Sequence, residues 1–184
     1  WDGETLVPSQ FGLATFVAET IPVIAQAQRF VHGDYSPSGY GAHPRARNAH
    51  AIRVHDAASG RAVSVAHMHG LRDPAAGKRD TPERAAQAER LLALSQSVTG
   101  PGDLAIICGD FNVEPDSETL RHLGAAGFTE LVTSRGFTST RTSHYEKPGR
   151  FADYMLVSDT AAVCGFAVVA DPEESDHCPL LLEV

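Results

Sequence analysis

Leu104-Ala105-Ile106-Ile107-Cys108-Gly109-Asp110-Phe111-Asn112 runs from an aliphatic stretch of strand length into a glycine, an acid, an aromatic and an amide. The aliphatic part reads as a buried strand. Gly109 lets the backbone turn closely. Alternate residues of an extended chain share a face, so Asp110 and Asn112 point one way and Phe111 points into packing. Polar groups at the rim of a buried strand are aimed by a rigid scaffold, which suits chemistry. The plain alternative is a turn in which Asp110 and Asn112 cap the following loop.

Outward from this stretch, further apolar runs bounded by turn residues cover 51–54, 62–66, 154–157, 163–169 and 180–184, each of strand length. A helix is predicted over 83–98. Thr81 is a good N-cap, Pro82 suits the first helical position, and Glu83 complements the positive end of the dipole. Ala85, Ala88, Leu91, Leu92 and Ser95 are read as its inner face, and Gly100-Pro101-Gly102 ends it. A shorter helix follows Asp116, runs through Leu120 and stops at Gly124. Strands and helices do not alternate regularly. That pattern favours two packed sheets with outer helices over a doubly wound parallel sheet.

Polar residues gather at the ends of these strands. His67 and His69 share a face beside Gly70, and imidazoles serve phosphate binding and proton transfer. Satisfied structural histidines are the alternative. Asp153 leads into the 154–157 run just after Arg150, where an ordinary ion pair would also account for it. Asp176-His177 enters the final strand, and a carboxylate beside an imidazole can fix its tautomer, stabilise its cation, or turn to a metal. Three carboxylates, an amide and several imidazoles suit a hard cation such as Mg²⁺ or Mn²⁺ better than structural zinc. They also suit hydrolysis of a phosphate ester, in which a metal neutralises phosphate oxygens and a base activates water.

Length and composition set the frame. At 184 residues, without repeats or long linkers, the chain is expected to form a single domain. No apolar run approaches the roughly 20 residues of a membrane span. With 15 basic and 23 acidic residues the net charge is −8, which argues against avid non-specific binding to nucleic acid. A local basic groove remains open, since Arg45, Arg47 and Arg53 lie close together, as do Arg135, Arg141, Lys147 and Arg150. The polar stretch 133–150 reads either as a substrate-facing loop or as plain surface. Cys108, Cys164 and Cys178 form neither a zinc pair nor a disulfide framework, and no chemistry is assigned to them. The start, Trp1-Asp2-Gly3-Glu4, lacks the pattern of a signal peptide, which tilts the expectation towards the cytoplasm. It also lacks Met, so a processed product or a fragment is expected.

The ordered set His67, Gly109-Asp110-Phe111-Asn112, Asp153-Tyr154 and Ser175-Asp176-His177-Cys178-Pro179-Leu180 resembles the endonuclease/exonuclease/phosphatase superfamily over roughly residues 11–184. The resemblance implies a four-layer α/β/β/α sandwich with two mainly antiparallel sheets. It implies that His177 activates the attacking water and that Asp153 orients it and favours its protonated form. Asp110 and Asn112 would position the nucleophile and phosphate oxygens. His67 would contact the scissile phosphate, with His69 in support, and Asp176 would face Mg²⁺ or Mn²⁺, directly or through water. Arg47 and Arg150 are the expected substrate-binding cations. The substrate would be a phosphate ester, foremost a phosphodiester, of a nucleic acid, lipid headgroup or small molecule.

The chain departs from the superfamily in one respect. Members open with an Asn-bearing strand, a helix and a strand ending in a metal-binding Glu, and no such unit precedes residues 11–16. About 60 or more residues of a domain of about 250 are therefore expected upstream, with an apolar sheet edge exposed where they would pack. The alternative reading is a catalytically incomplete remnant that binds phosphate or a partner. The oligomeric state is not fixed by the sequence.

Overall fold

A computed structural model describes residues 12–35, 44–57 and 59–184; Trp1 to Glu4 lie outside them. Six strands form one sheet in the order β1-β2-β3-β4-β6-β5: β1 (Val23–His32), β2 (Arg47–Asp56), β3 (Arg61–His69), β4 (Leu104–Asp110), β5 (Thr129–Glu130) and β6 (Asp153–Val157). β7 (Gly165–Val168) and β8 (Leu180–Glu183) pair antiparallel as a small second sheet. β3 and β4 run parallel, and the other ladders are antiparallel. A parallel pair needs a crossover, and α1 (Pro82–Val98) supplies it. α2 (Glu118–Ala125) follows β4. The mixed α/β architecture with two sheets expected from the sequence is present. Among the described residues, no helix is long and apolar enough to cross a membrane.

α1 begins as expected, with the Thr81 hydroxyl accepting from the Arg84 N–H at 3.3 Å. Its inner face differs from the sequence reading. Arg84, Gln87, Ala88, Leu91, Leu94, Ser95 and Val98 are buried, whereas Ala85 is exposed. The helix can bury Arg84 because its guanidinium donates to the carbonyls of Leu71 at 3.2 Å and Gly77 at 2.5 Å, and to that of Arg79. Gln87 accepts from the Leu71 N–H at 2.9 Å. These polar anchors hold the loop that leaves β3, and the inner face turns by about one residue to make them.

The large sheet carries a core on each side. Leu91 and Leu94 of α1 pack with Ile107, Phe111, Leu123, Tyr154 and Leu156 on one face. Leu104, Ile106, Leu131 and Val157 form the other core, under Phe166 of β7 and Leu182 of β8. Alternation along β4 sends Ile107 to the first and Ile106 to the second. Leu91→Ala is expected to cost about 2–5 kcal/mol, measured by urea unfolding; a loss of only a few tenths would show that α1 does not seat on this core.

Register then sets the polar rim. In the parallel β3–β4 ladder His69 stands opposite Asp110, and in the antiparallel β4–β6 ladder Asp110 stands opposite Asp153. His69, Asp110 and Asp153 thus form one row across three strands, at the end of the face that carries the second core.

Candidate active site

The row is completed from the segment before β8. His177 Nδ1–H donates to Asp153, with Oδ1 at 2.9 Å and Oδ2 at 2.8 Å. Its Nε2 lies 3.9 Å from Asp110 Oδ2, and His69 Nε2 lies 3.7 Å from the same oxygen. Asp110 and Asp153 are largely buried, and about a third of the His177 side chain is exposed. The hydrogen bond to Asp153 raises the His177 pKa above its ordinary value, against the opposing effect of burial. Burial raises the Asp110 pKa, and the Asp153 charge adds to that. Burial also lowers the His69 pKa.

Two neighbouring carboxylates with one held above its ordinary pKa make a site that favours a cation. Donor atoms of Asp110, Asp153 and His177 lie within 4.8 Å of one another, close enough to share one ion. Carboxylate oxygens suit Mg²⁺ or Mn²⁺. Asp176 stands at the edge of the group, half-exposed, with Oδ2 accepting from Arg141 Nη1 at 3.1 Å and lying 3.8 Å from His177 Nε2.

The turn after β4 combines both sequence readings. Asn112 adopts φ 53°, a left-handed conformation that asparagine tolerates, and its N–H donates to Asp110 Oδ1 at 2.8 Å. Its amide donates to the Gly70 carbonyl at 3.2 Å. Phe111 is fully buried as expected, edge-to-face on Tyr154 at 5.9 Å. Gly109 has φ 130°, and a Cβ there would overlap the Met68 carbonyl oxygen, so the close turn requires glycine.

The two histidines of β3 differ in their contacts. His69 meets Asp110, while His67 sits one step back, its Nε2 2.8 Å from the Thr15 hydroxyl, which is also 2.8 Å from His50 Nδ1. Burial lowers the His67 pKa. Arg47, at the start of β2, is half-buried within electrostatic reach of Asp110. The Arg150 side chain is exposed, and its carbonyl accepts from the Thr140 N–H at 2.8 Å.

Several contributors carry no distinct signal in the sequence. The Thr140 hydroxyl accepts from the N–H groups of Ala152 at 3.1 Å and Asp153 at 3.2 Å, and the Thr140 carbonyl accepts from Cys178 N–H at 2.9 Å. Thr140 thereby fixes Asp153 against the segment bearing His177. Arg141 is the β-bridge partner of His177. Lys78 feels the charges of Asp110 and Asp153, and its amine donates to the Phe151 carbonyl.

A histidine–carboxylate pair, a second carboxylate and a third acid thus gather at one rim of a two-sheet α/β fold. Residues 7–177 match the sequence profile described as Endonuclease/Exonuclease/phosphatase family, and the chain belongs to that family. No curated protein matches the chain significantly in sequence. Among solved structures it is similar to the mannosyl-6-phosphatase of Bacteroides thetaiotaomicron, with 15% identity, a TM-score of 0.65, and coverage of 89% of this chain and 66% of that one. It is similar to the human Nocturnin catalytic domain with bound sulfate, with 20% identity, a TM-score of 0.58, and coverage of 91% and 62%. It is also similar to D. rerio TDP2 in complex with a single-strand DNA product, with 14% identity, a TM-score of 0.55, and coverage of 88% and 67%. The chain therefore spans about two thirds of the length of these proteins.

Proposed function

We propose that the protein hydrolyses a phosphate ester, foremost a phosphodiester, by in-line attack of water with the aid of Mg²⁺ or Mn²⁺. The observation that carries the reading is the His177–Asp153 pair at 2.8 Å, with Nε2 directed towards the Asp110 side of the cleft. With Nδ1–H held by Asp153, Nε2 carries the lone pair that takes a proton from water. Asp153 stabilises the imidazolium that results, as a buried carboxylate does beside an imidazole base. Asp110 and Asn112 border the position of the attacking water. His69 faces the phosphate from the opposite side of Asp110, with Arg47 behind it, while His67 supports the sheet face and Arg150 stands at the loop rim.

The cation, held by Asp110 and Asp153 with Asp176 at the edge, would neutralise phosphate oxygens. The similar structures act on a sugar phosphate in one case and hold a DNA product in another. For this chain, esters of nucleic acids, lipid headgroups and small molecules all fit. The second reading, an incomplete site that binds phosphate without turnover, draws on the chain spanning about two thirds of its structural neighbours.

Release of nitrophenolate from an aryl phosphodiester and an aryl phosphomonoester, each with Mg²⁺, tests the reading. Turnover of the diester above that of the monoester is expected. Turnover of neither, with phosphate still bound, would move the protein to the second reading.

A further inference from the structure

Arg141 brings a cation against His177 Nε2, the nitrogen on the side where water must attack. Its side chain is only 5% exposed. Nη1–H donates to Asp176 Oδ2 at 3.1 Å and also rests against His177 Nε2. The guanidinium lies over the Tyr145 ring, 4.2 Å from its centroid, and Lys78 Nζ lies 5.9 Å from the same centroid. Arg141 Nε–H is buried without an acceptor. The nearest counter-charge, Asp176, is about half-exposed, so solvent screens it.

An arginine is always charged and donates through a fixed fork. One arm of this fork, Nε–H, has no hydrogen-bond partner. The other arm points at the imidazole nitrogen that a general base must keep free. An N–H can point at Nε2 only when Nε2 carries a lone pair, and Asp153 on Nδ1 imposes that tautomer. Phosphate oxygens accept from a guanidinium bidentately, and their charge makes them stronger acceptors than a neutral imidazole.

We propose that Arg141 grips the substrate phosphate through Nε–H and Nη–H, and that without substrate it caps His177 Nε2. Phosphate binding then satisfies the idle Nε–H and frees Nε2 for water. Only hydrogen bonds exchange in this step, and no proton is transferred. Tyr145 supplies the face on which the guanidinium turns, and Lys78 lines the same wall as a second cation. The proposal rests on the hydrolase reading for its substrate and adds the residue that couples phosphate binding to release of the base.

The test is a titration of inorganic phosphate, in Mg²⁺ buffer, into the wild-type chain, Arg141→Lys and Arg141→Gln. Arginine Nε–H resonances are followed by NMR, and aryl phosphodiester turnover is measured in parallel. The resonance missing from both variants is that of Arg141, and saturable movement of it with phosphate is expected in the wild type. Phosphate affinity should fall about tenfold or more in Arg141→Gln, the loss of a charged bidentate contact, and by less in Arg141→Lys.

If Arg141 only braces the loop, Arg141→Gln will melt earlier yet bind phosphate as tightly as the wild type, which overturns the proposal. An Arg141 resonance that ignores phosphate also overturns it. Turnover and phosphate affinity that are equal in wild type and Arg141→Gln would sink the proposal and leave the hydrolase reading standing. An Arg141-dependent phosphate response in a wild-type chain without turnover would support the proposal and sink the hydrolase reading.

Discussion

His177→Ala is expected to lower kcat/KM for phosphate-ester hydrolysis by about 10³-fold, within the 10²–10⁴ typical of a positioned general base. The imidazole is held at both ends, by Asp153 at 2.8 Å on Nδ1 and by contact with Arg141 on Nε2. Among the described residues no second imidazole stands at that position, since His69 lies across Asp110 and is approached only from its own Nε2. Stability should fall as well, since the largely buried Asp153 loses its imidazole partner, so rates are compared at a temperature where both proteins remain folded. The pH profile gives a second readout. The neutral imidazole is the competent base, and its pKa is raised above the ordinary 6.5, chiefly by Asp153. Wild-type rate should therefore climb with pH through a value above 6.5, and that limb should be missing from the variant. A limb that persists unchanged in His177→Ala would assign the base to another group.

Asp153→Asn is expected to cost nearly as much, about 10²–10⁴-fold, although the side chain keeps its shape. The amide no longer stabilises an imidazolium, and it can present an N–H to Nδ1, which moves the imidazole proton to Nε2 and removes the free lone pair. The acid limb of any residual activity should shift down towards 6.5. Stability follows with a defined sign. His177 has a raised pKa in the folded protein, so its contribution is fully present below about 6.5, the unfolded value, and is lost as pH rises through the folded value. The difference in melting temperature between wild type and Asp153→Asn should be larger at pH 5.5 than at pH 9. A difference that grows with pH instead would show that the pair does not carry the proton as described.

Much of this site was legible from local patterns. Gly109 before Asp110, Phe111 buried and Asn112 in the turn all follow from a strand ending at a tight bend, and the structure places them so. The pairing of His177 with Asp153 was implied only by the family resemblance; by themselves the residues set His177 beside Asp176 and Asp153 beside Arg150. The register that aligns His69, rather than His67, with Asp110 was not open, because two histidines on one face of a strand look alike until the neighbouring strand is set against them.

β1 escaped for a related reason. Gln26 and Gln28 interrupt its apolar residues, and only the fold shows that Ala25 and Ala27 face the core. Arg84 and Gln87 were left off the inner face read from the sequence, yet the Arg84 Nη groups reach backbone carbonyls and Gln87 Oε1 accepts from the Leu71 N–H inside. Arg141 and Thr140 sit in a stretch rich in Ser, Thr and Arg, where only long-range contacts single them out.

The most direct test of the central claim is Mg²⁺-dependent hydrolysis of an aryl phosphodiester by the wild-type chain beside His177→Ala, with EDTA added to each. The account predicts turnover by the wild type alone, abolished by EDTA and restored by excess Mg²⁺. Turnover that ignores EDTA, or that His177→Ala retains in full, would contradict it.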